Sequence, residues 1–341
     1  MEAVAWSADG MRLLVLGGTA WLGGEIVRAA LDQGYEVVCM ARGERPAPSG
    51  VTLVAADRDD PQSYSALDGD FDAAIDVTMV PAHAQGAVTA LRDRVNRWAL
   101  VSTCSVYAED DLPGQDESAR LLEPYEGPFD VEKYGECKVA CEQAVLAAYG
   151  DNALIARPGL ITGPGDHSDR TGYWPLRFAH PITDDGTVLV PDAPDSSVQL
   201  IDARDLAGWL VEATERGTGG VFNATTEHIA LSEYLSLARE VAGHDGDLVA
   251  VDQEWITEHE IAPWAGERSL PLWLPQPEYA GFATRSPAAA RVAGLRTRAL
   301  EESIRDTLAW EIQAGPGRTR KAGLSPADER ALIAETRAAD R

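Results

Sequence analysis

The chain has 341 residues, 45% of them hydrophobic, with 29 Lys and Arg against 55 Asp and Glu and a formal net charge of −26. That length suits one large domain or two interlocked ones around a real core, and the composition is that of a globular protein. A surface this acidic repels polyanions and no apolar run approaches the ~18 residues of a membrane span, so nucleic-acid and membrane roles are disfavoured and a small-molecule partner is expected.

Residues 1–10 carry neither the basic nor the apolar region of a secretory leader. They read as an extension before the first strand, and a cytoplasmic location is expected. Met11–Leu16 is a short apolar run suited to a buried parallel strand, and it enters the glycine-rich segment Gly17–Gly24 directly. A helix follows through Glu25–Gln33, stopped by Gly34. Further strands are expected at Tyr35–Met40, Val51–Ala55, Ala73–Val77, Trp98–Ser102 and Ala153–Ala156, with helices between most of them. Such alternation predicts a parallel sheet covered on both faces.

Beyond about residue 165 the pattern changes. His167–Pro181 reads as an aromatic loop, Val188–Asp195 as a strand and turn, Ser197–Ile201 as a strand and Asp202–Glu215 as a helix. Val221–Ala224 resembles one more core strand. From Leu231 the chain is mostly helical, interrupted by Pro263–Pro277, which is too apolar for a linker and too rich in proline for a helix. Ser325–Arg341 is a charged helix. The cysteines Cys39, Cys104, Cys137 and Cys141 form no Cys-x-x-Cys pair and the six histidines are scattered, so no metal is expected and the thiols read as buried and reduced.

Three groups of residues carry chemistry. Gly17-x-x-Ala20-x-x-Gly23 sits where a strand becomes a helix, where glycines permit a tight turn and helix N–H groups receive a pyrophosphate. The second strand ends without the acid that bonds a ribose 2′-hydroxyl, and Arg42 follows, which suits a 2′-phosphate. Asp57 and Arg58, after the third strand, are placed to reach an adenine edge. The last group is Ser102–Tyr107 with Tyr134 and Lys138, which are neighbours on one helix face. A phenol is a poor base at neutral pH, but a neighbouring ammonium and an oxidised nicotinamide favour its ionised form. Lys138 is one of only three lysines, which gives a common spacing more weight.

Together these residues resemble the short-chain dehydrogenase/reductase superfamily, in the extended or atypical branch labelled NAD-dependent epimerase/dehydratase. The likeness rests on LGGTAWLG at 16–23, Arg42-Gly43, VSTCSVY at 101–107, YGECK at 134–138, RPGLITGPGD at 157–166 and QLIDARDLA at 199–207. It implies a Rossmann-type doubly wound sheet over 11–165, with 186–225 returning to it. A smaller, mostly helical substrate region would comprise 166–185 and 226–341, with 1–10 as an N-terminal extension.

The resemblance also implies roles. Gly17, Thr19, Ala20, Trp21, Leu22 and Gly23 would hold the dinucleotide, with Arg42, Asp57 and Arg58 at its adenosine end and Tyr134, Lys138 and Pro158 near the nicotinamide. Thr103 would orient a substrate oxygen, Tyr134 would act as general acid/base, and Lys138 would support it. Ser105, His167, Tyr173, Arg177 and Trp264 are substrate candidates; Arg204 and Asp205 either anchor substrate or pair with neighbours at a helix start. Ala20 departs from the glycine or arginine usual at its position. Cys104 and Ser105 replace the Asp and Glu of sugar dehydratases, which disfavours dehydration. The expectation is an NADP(H)-dependent reductase or dehydrogenase, NADP(H) being favoured over NAD(H), acting on a carbonyl or hydroxyl group of a small polar metabolite. An NAD-dependent sugar or nucleotide-sugar epimerase and a non-catalytic dinucleotide-binding sensor stay open as alternatives. So does a homodimer, since members of this superfamily often dimerise.

Overall fold

The protein is described here by a computed structural model covering residues 10–125 and 127–339; residues 1–9 of the expected extension lie outside the described residues. Seven strands form one all-parallel sheet: β1 (Arg12–Leu16), β2 (Glu36–Ala41), β3 (Thr52–Ala55), β4 (Phe71–Asp76), β5 (Val95–Val101), β6 (Ala153–Pro158) and, after four strands outside the sheet, β11 (Gly220–Ala224). Those four are β7 (Leu160–Thr162), β8 (Val188–Pro191), β9 (Ser197–Val198) and β10 (Leu200–Asp202). The sheet order is β11-β6-β5-β4-β1-β2-β3. The chain therefore winds outward from β1 to β3, then crosses back to β4 and winds the other way. That reversal opens a crevice beyond the carboxyl ends of β1 and β4, where ligands of such sheets bind.

The apolar runs are long because both sheet faces are covered. Alternate side chains of β1 divide between two cores. Leu13 and Val15 pack with helices α1 (Trp21–Asp32) and, from later in the chain, α5 (Ala203–Glu215). Leu14 and Leu16 pack on the opposite face with α2 (Pro81–Leu91) and α3 (Tyr134–Tyr149). All four are fully buried, each contributing ~1.5–3 kcal/mol of transfer free energy.

The C-terminal region has its own core, built from α4 (Tyr173–Ala179), α6 (Leu231–Ala242), α7 (Gln253–Glu258), α9 (Leu300–Ala314) and α10 (Pro326–Ala339) with β8, while α8 (Ala288–Val292) joins the sheet's core through Ala290. The expected loop at His167–Pro181 thus contains a helix. Pro175 falls in its first turn, where backbone N–H groups have no intrahelical acceptor and proline costs little. Burial of Tyr173, Trp174 and Phe178 drives the helix to form. Pro263–Pro277 is largely irregular and packed, with one short parallel pair, Ala262–Trp264 beside Ser269–Pro271. Among the described residues no helix is long and apolar enough to cross a membrane, and no cluster of His, Cys, Asp and Glu is suited to a metal.

Candidate active site

The first turn after β1 needs its glycines. Gly17 has φ +93°, and a Cβ on Gly23 would lie 2.2 Å from the Gly17 carbonyl oxygen. Only glycine at 23 lets the helix start ride this close to the turn. No side chain caps α1 and its first turn holds no acid, so the backbone N–H groups there remain available to an anion. The Trp21 indole donates to the Pro164 carbonyl at 2.8 Å, tying the turn to the loop after β7.

Two cavities meet above the crevice, sharing Ala20, Val77 and Met79 in their walls. One, of about 640 Å³, is lined by Gly17, Thr19, Arg42, Asp57 and Arg58. Arg42 is exposed, and its ion pair among the described residues is with Glu44, at 3.4 Å. Asp57 is exposed. Arg58 is already committed: its guanidinium forks onto buried Asp76 at 2.8 and 2.7 Å and also donates to the Tyr64 hydroxyl and the His83 carbonyl. Four of its five N–H groups are thus engaged, and it clamps the end of β4 while still lining the cavity.

The other cavity, of about 780 Å³, brings together Trp21, Leu22, Gly23, Thr103, Ser105, Tyr134, Lys138, Pro158, His167 and Trp264. Thr103 follows β5, its Oγ1 accepts the Ser105 N–H at 3.1 Å, and the two hydroxyls stand 3.2 Å apart. Tyr134 opens α3. Lys138, one turn on, is 3% exposed, and its ammonium donates to the carbonyls of Thr78 (2.7 Å) and Val101 (2.5 Å). Carbonyl dipoles thus hold the buried charge, and the third N–H faces no acceptor among the described residues.

Sequence reasoning missed what lies beneath. Glu142, one further turn along α3, is ion-paired with Arg157 at 2.7 Å, both nearly inaccessible. The Ser102 hydroxyl donates to Glu142, Arg157 donates to the Tyr107 hydroxyl at 3.1 Å, and Tyr107 donates to Asn223 at 2.6 Å. This network fastens the carboxyl ends of β5, β6 and β11 to α3, just under Thr103. The spacing of Tyr134, Lys138 and Glu142, each four apart, was the available signal that all three share a face. Cys104 lies inside the network, where burial pushes its thiol up to about 12 against the pull of Arg285 and Arg157.

Two substrate candidates lie elsewhere. Arg177 pairs with buried Glu329 of α10 at 2.8 Å, and the buried Tyr173 hydroxyl accepts the Leu324 N–H. Their places in α4 turn them into the C-terminal core, away from the cavity. Arg204 and Asp205 pair with Asp202, Asp306 and Arg298 at the start of α5. His167 is exposed at the rim, its ring 6.0 Å from that of Trp310. Arg170, passed over in the sequence, lines the cavity.

A doubly wound parallel sheet, a glycine-rich first turn and a Tyr-x-x-x-Lys helix beside a threonine define a short-chain dehydrogenase/reductase of the extended type. The chain belongs to the NAD dependent epimerase/dehydratase family, which matches residues 13–225. It is 31% identical over 276 residues to the 2'-dehydrokanamycin reductase of Streptomyces kanamyceticus, covering 76% of this chain and 75% of that one. Its fold is similar to that of the Bordetella bronchiseptica enzyme WbmG in complex with NAD, with TM-score 0.66 and 16% identity over 91% of this chain and 96% of that one. It is likewise similar to UDP-N-acetylglucosamine 4-epimerase from Bacillus cereus, with TM-score 0.66 and 14% identity over 91% and 99% of the two chains.

Proposed function

We propose that the protein is an NADP(H)-dependent oxidoreductase that interconverts a carbonyl and a hydroxyl group on a small polar metabolite. The observation that carries this reading is the convergence of Thr103, Tyr134 and Lys138 on one cavity at the sheet's reversal point. The glycine-only approach at Gly23, the uncapped helix start and the spare Lys138 N–H suit a dinucleotide lying from the first turn toward Pro158. A reduced nicotinamide supplies the hydride when bound.

The chain's own part is proton transfer and positioning. The Thr103 hydroxyl donates to the substrate oxygen and holds it, with Ser105 orienting Thr103 from below. Tyr134 gives its phenolic proton to that oxygen as the carbonyl becomes a hydroxyl, and takes it back in the reverse direction. Lys138 stabilises the phenolate left behind and donates toward the ribose. Exposed Arg42 exchanges its weak, solvated pairing with Glu44 for a 2′-phosphate, which favours NADP(H). The kinship to a reductase supports net reduction over epimerisation.

Tryptophan fluorescence titrated with NADPH and NADH, followed by NADPH oxidation against a panel of carbonyl compounds, tests the proposal. Tighter NADPH binding is expected, and Tyr134→Phe should bind cofactor normally while losing most turnover. Cofactor that purifies with the protein, does not exchange and is never consumed would replace the reductase with an epimerase. Retained turnover in Tyr134→Phe would overturn the relay.

A further inference from the structure

The cavity beside Tyr134 contains a guanidinium that proton relay does not use. Arg170 sits in the loop after β7, half-buried, with Cζ 4.9 Å from the centre of the Trp264 ring. The arginines withdrawn from solvent elsewhere are forked or paired: Arg58 with Asp76, Arg157 with Glu142, Arg177 with Glu329, Arg285 with Asp110. The Arg170 guanidinium has no ion pair and no hydrogen bond among the described residues; its backbone alone is engaged, the N–H donating to Ser168 Oγ and the carbonyl accepting the Tyr173 N–H. The nearby carboxylate cannot serve it fully. Asp166 is itself buried and occupied by the Ser168 N–H (2.8 Å), the Ser168 hydroxyl (2.9 Å) and the Thr171 hydroxyl (2.9 Å).

A guanidinium partly withdrawn from solvent and without a protein acceptor keeps its N–H groups for whatever enters the cavity. Burial does disfavour the Arg170 charge, and the charges of Asp166 and of an ionised Tyr134 favour it, which places all three within electrostatic reach. Stacking on an indole covers one face of a guanidinium and leaves its in-plane N–H edge to bind an oxyanion bidentately. Trp264 has φ +66°, a conformation that costs a bulky residue ~1–3 kcal/mol and that persists where the surroundings enforce it. Here a backbone bond to the Trp273 carbonyl and the edge of Phe282 hold the indole at the cavity wall against Arg170. A chain with net charge −26 offers an anion no long-range attraction, so recognition has to be local.

We propose that Arg170 is a substrate-recognition residue that receives a carboxylate or phosphate carried by the carbonyl compound, so that the enzyme's substrates are anionic. This deepens the oxidoreductase reading and rests on it for the word substrate, but the binding it describes is measurable without turnover.

The test uses the full chain loaded with NADPH and three probes: benzoylformate, phenyl phosphate and the neutral ester ethyl benzoylformate. Calorimetric affinities are compared for the wild type, Arg170→Met and Arg170→Lys. The expected result is one anion bound about ten-fold or more tighter than the ester, a loss of about that factor in Arg170→Met, partial retention in Arg170→Lys, and unchanged ester binding. Which anion responds tells carboxylate from phosphate. Anions bound no better than the ester, or not at all, or equally by wild type and Arg170→Met, would leave Arg170 as a structural partner of Trp264 and overturn the proposal. Tyr134→Phe separates the two readings, because it should keep the anion affinity while losing NADPH oxidation. Anion selectivity through Arg170 with no carbonyl ever reduced would sink the oxidoreductase reading alone.

Discussion

Gly135 meets Ser105 so closely that a Cβ on the glycine would stand 2.3 Å from the Ser105 carbonyl oxygen. The start of α3 is thereby pressed against the segment that carries Thr103, and Tyr134 is brought to the cavity wall that Thr103 shares. Glycine follows the tyrosine because nothing larger fits, and the backbone oxygen it faces cannot swing aside as a side chain would.

Gly135→Ala should therefore push α3 away from residues 103–105. Overpacking of this kind costs ~1–3 kcal/mol. Turnover should fall much further than stability if Thr103 and Tyr134 hold one substrate oxygen as proposed, since a displacement near 1 Å between them costs about 100-fold in rate. Thermal unfolding and kcat measured on the same preparation check this; a variant with normal kcat would show that the close approach is structural only.

The Glu142–Arg157 pair predicts the opposite balance. Removing one partner of a buried pair strands the other charge, at ~3–5 kcal/mol. Glu142→Ala should lose about that much in urea denaturation, whereas Glu142→Gln, which still accepts from Ser102 and Arg157, should lose less. Cofactor affinity in whichever variant stays folded should be near normal, because Glu142 does not line the cavity. A Glu142→Ala protein as stable as the parent would mean that water reaches this network.

Much of this was legible before folding, and for physical reasons. Strands buried on two faces must be apolar throughout, so runs such as Met11–Leu16 announce themselves. Glycines forced by backbone approach and a lysine in a lysine-poor chain stand out equally. What stayed hidden depends on partners distant in sequence. Arg58 and Arg177 look like free cations until Asp76 and Glu329 arrive beside them, and Arg170 looks ordinary until nothing does. The helix at Tyr173–Ala179 was hidden by its proline and aromatics, whose burial against the C-terminal core outweighs poor local propensity.

The thiols give a pH-dependent expectation. Burial raises Cys39 to about 11 and Cys104 and Cys141 to about 12, from an ordinary thiol value of 9.0. The folded state thus prefers the protonated thiol. The resulting stabilisation is fully present below about pH 9 and is lost as pH rises toward 12. At pH 8 the folded protein should react negligibly with a thiol reagent at these three positions, and urea should release them together. Fast labelling of Cys104 in the folded protein would contradict its place inside the network under Thr103.

Lys138 offers the sharpest separation of binding from chemistry. Its ammonium satisfies the Thr78 carbonyl just past β4 and the Val101 carbonyl at the end of β5, so its charge and its anchoring are linked. Lys138→Met leaves both carbonyls without that donor and removes the cation near Tyr134. Stability should drop by ~1–3 kcal/mol per stranded polar group, and turnover by at least ~100-fold. Lys138→Arg keeps the charge, but a planar fork cannot occupy the compact site between two carbonyls, so it should not rescue. The informative measurement is the pH profile of kcat in the two variants beside the parent. If Lys138 acts by favouring the phenolate of Tyr134, Lys138→Met should need a higher pH to reach its residual maximum in the oxidative direction. An unshifted profile with a weakened cofactor Kd would instead make Lys138 a ribose and backbone anchor alone.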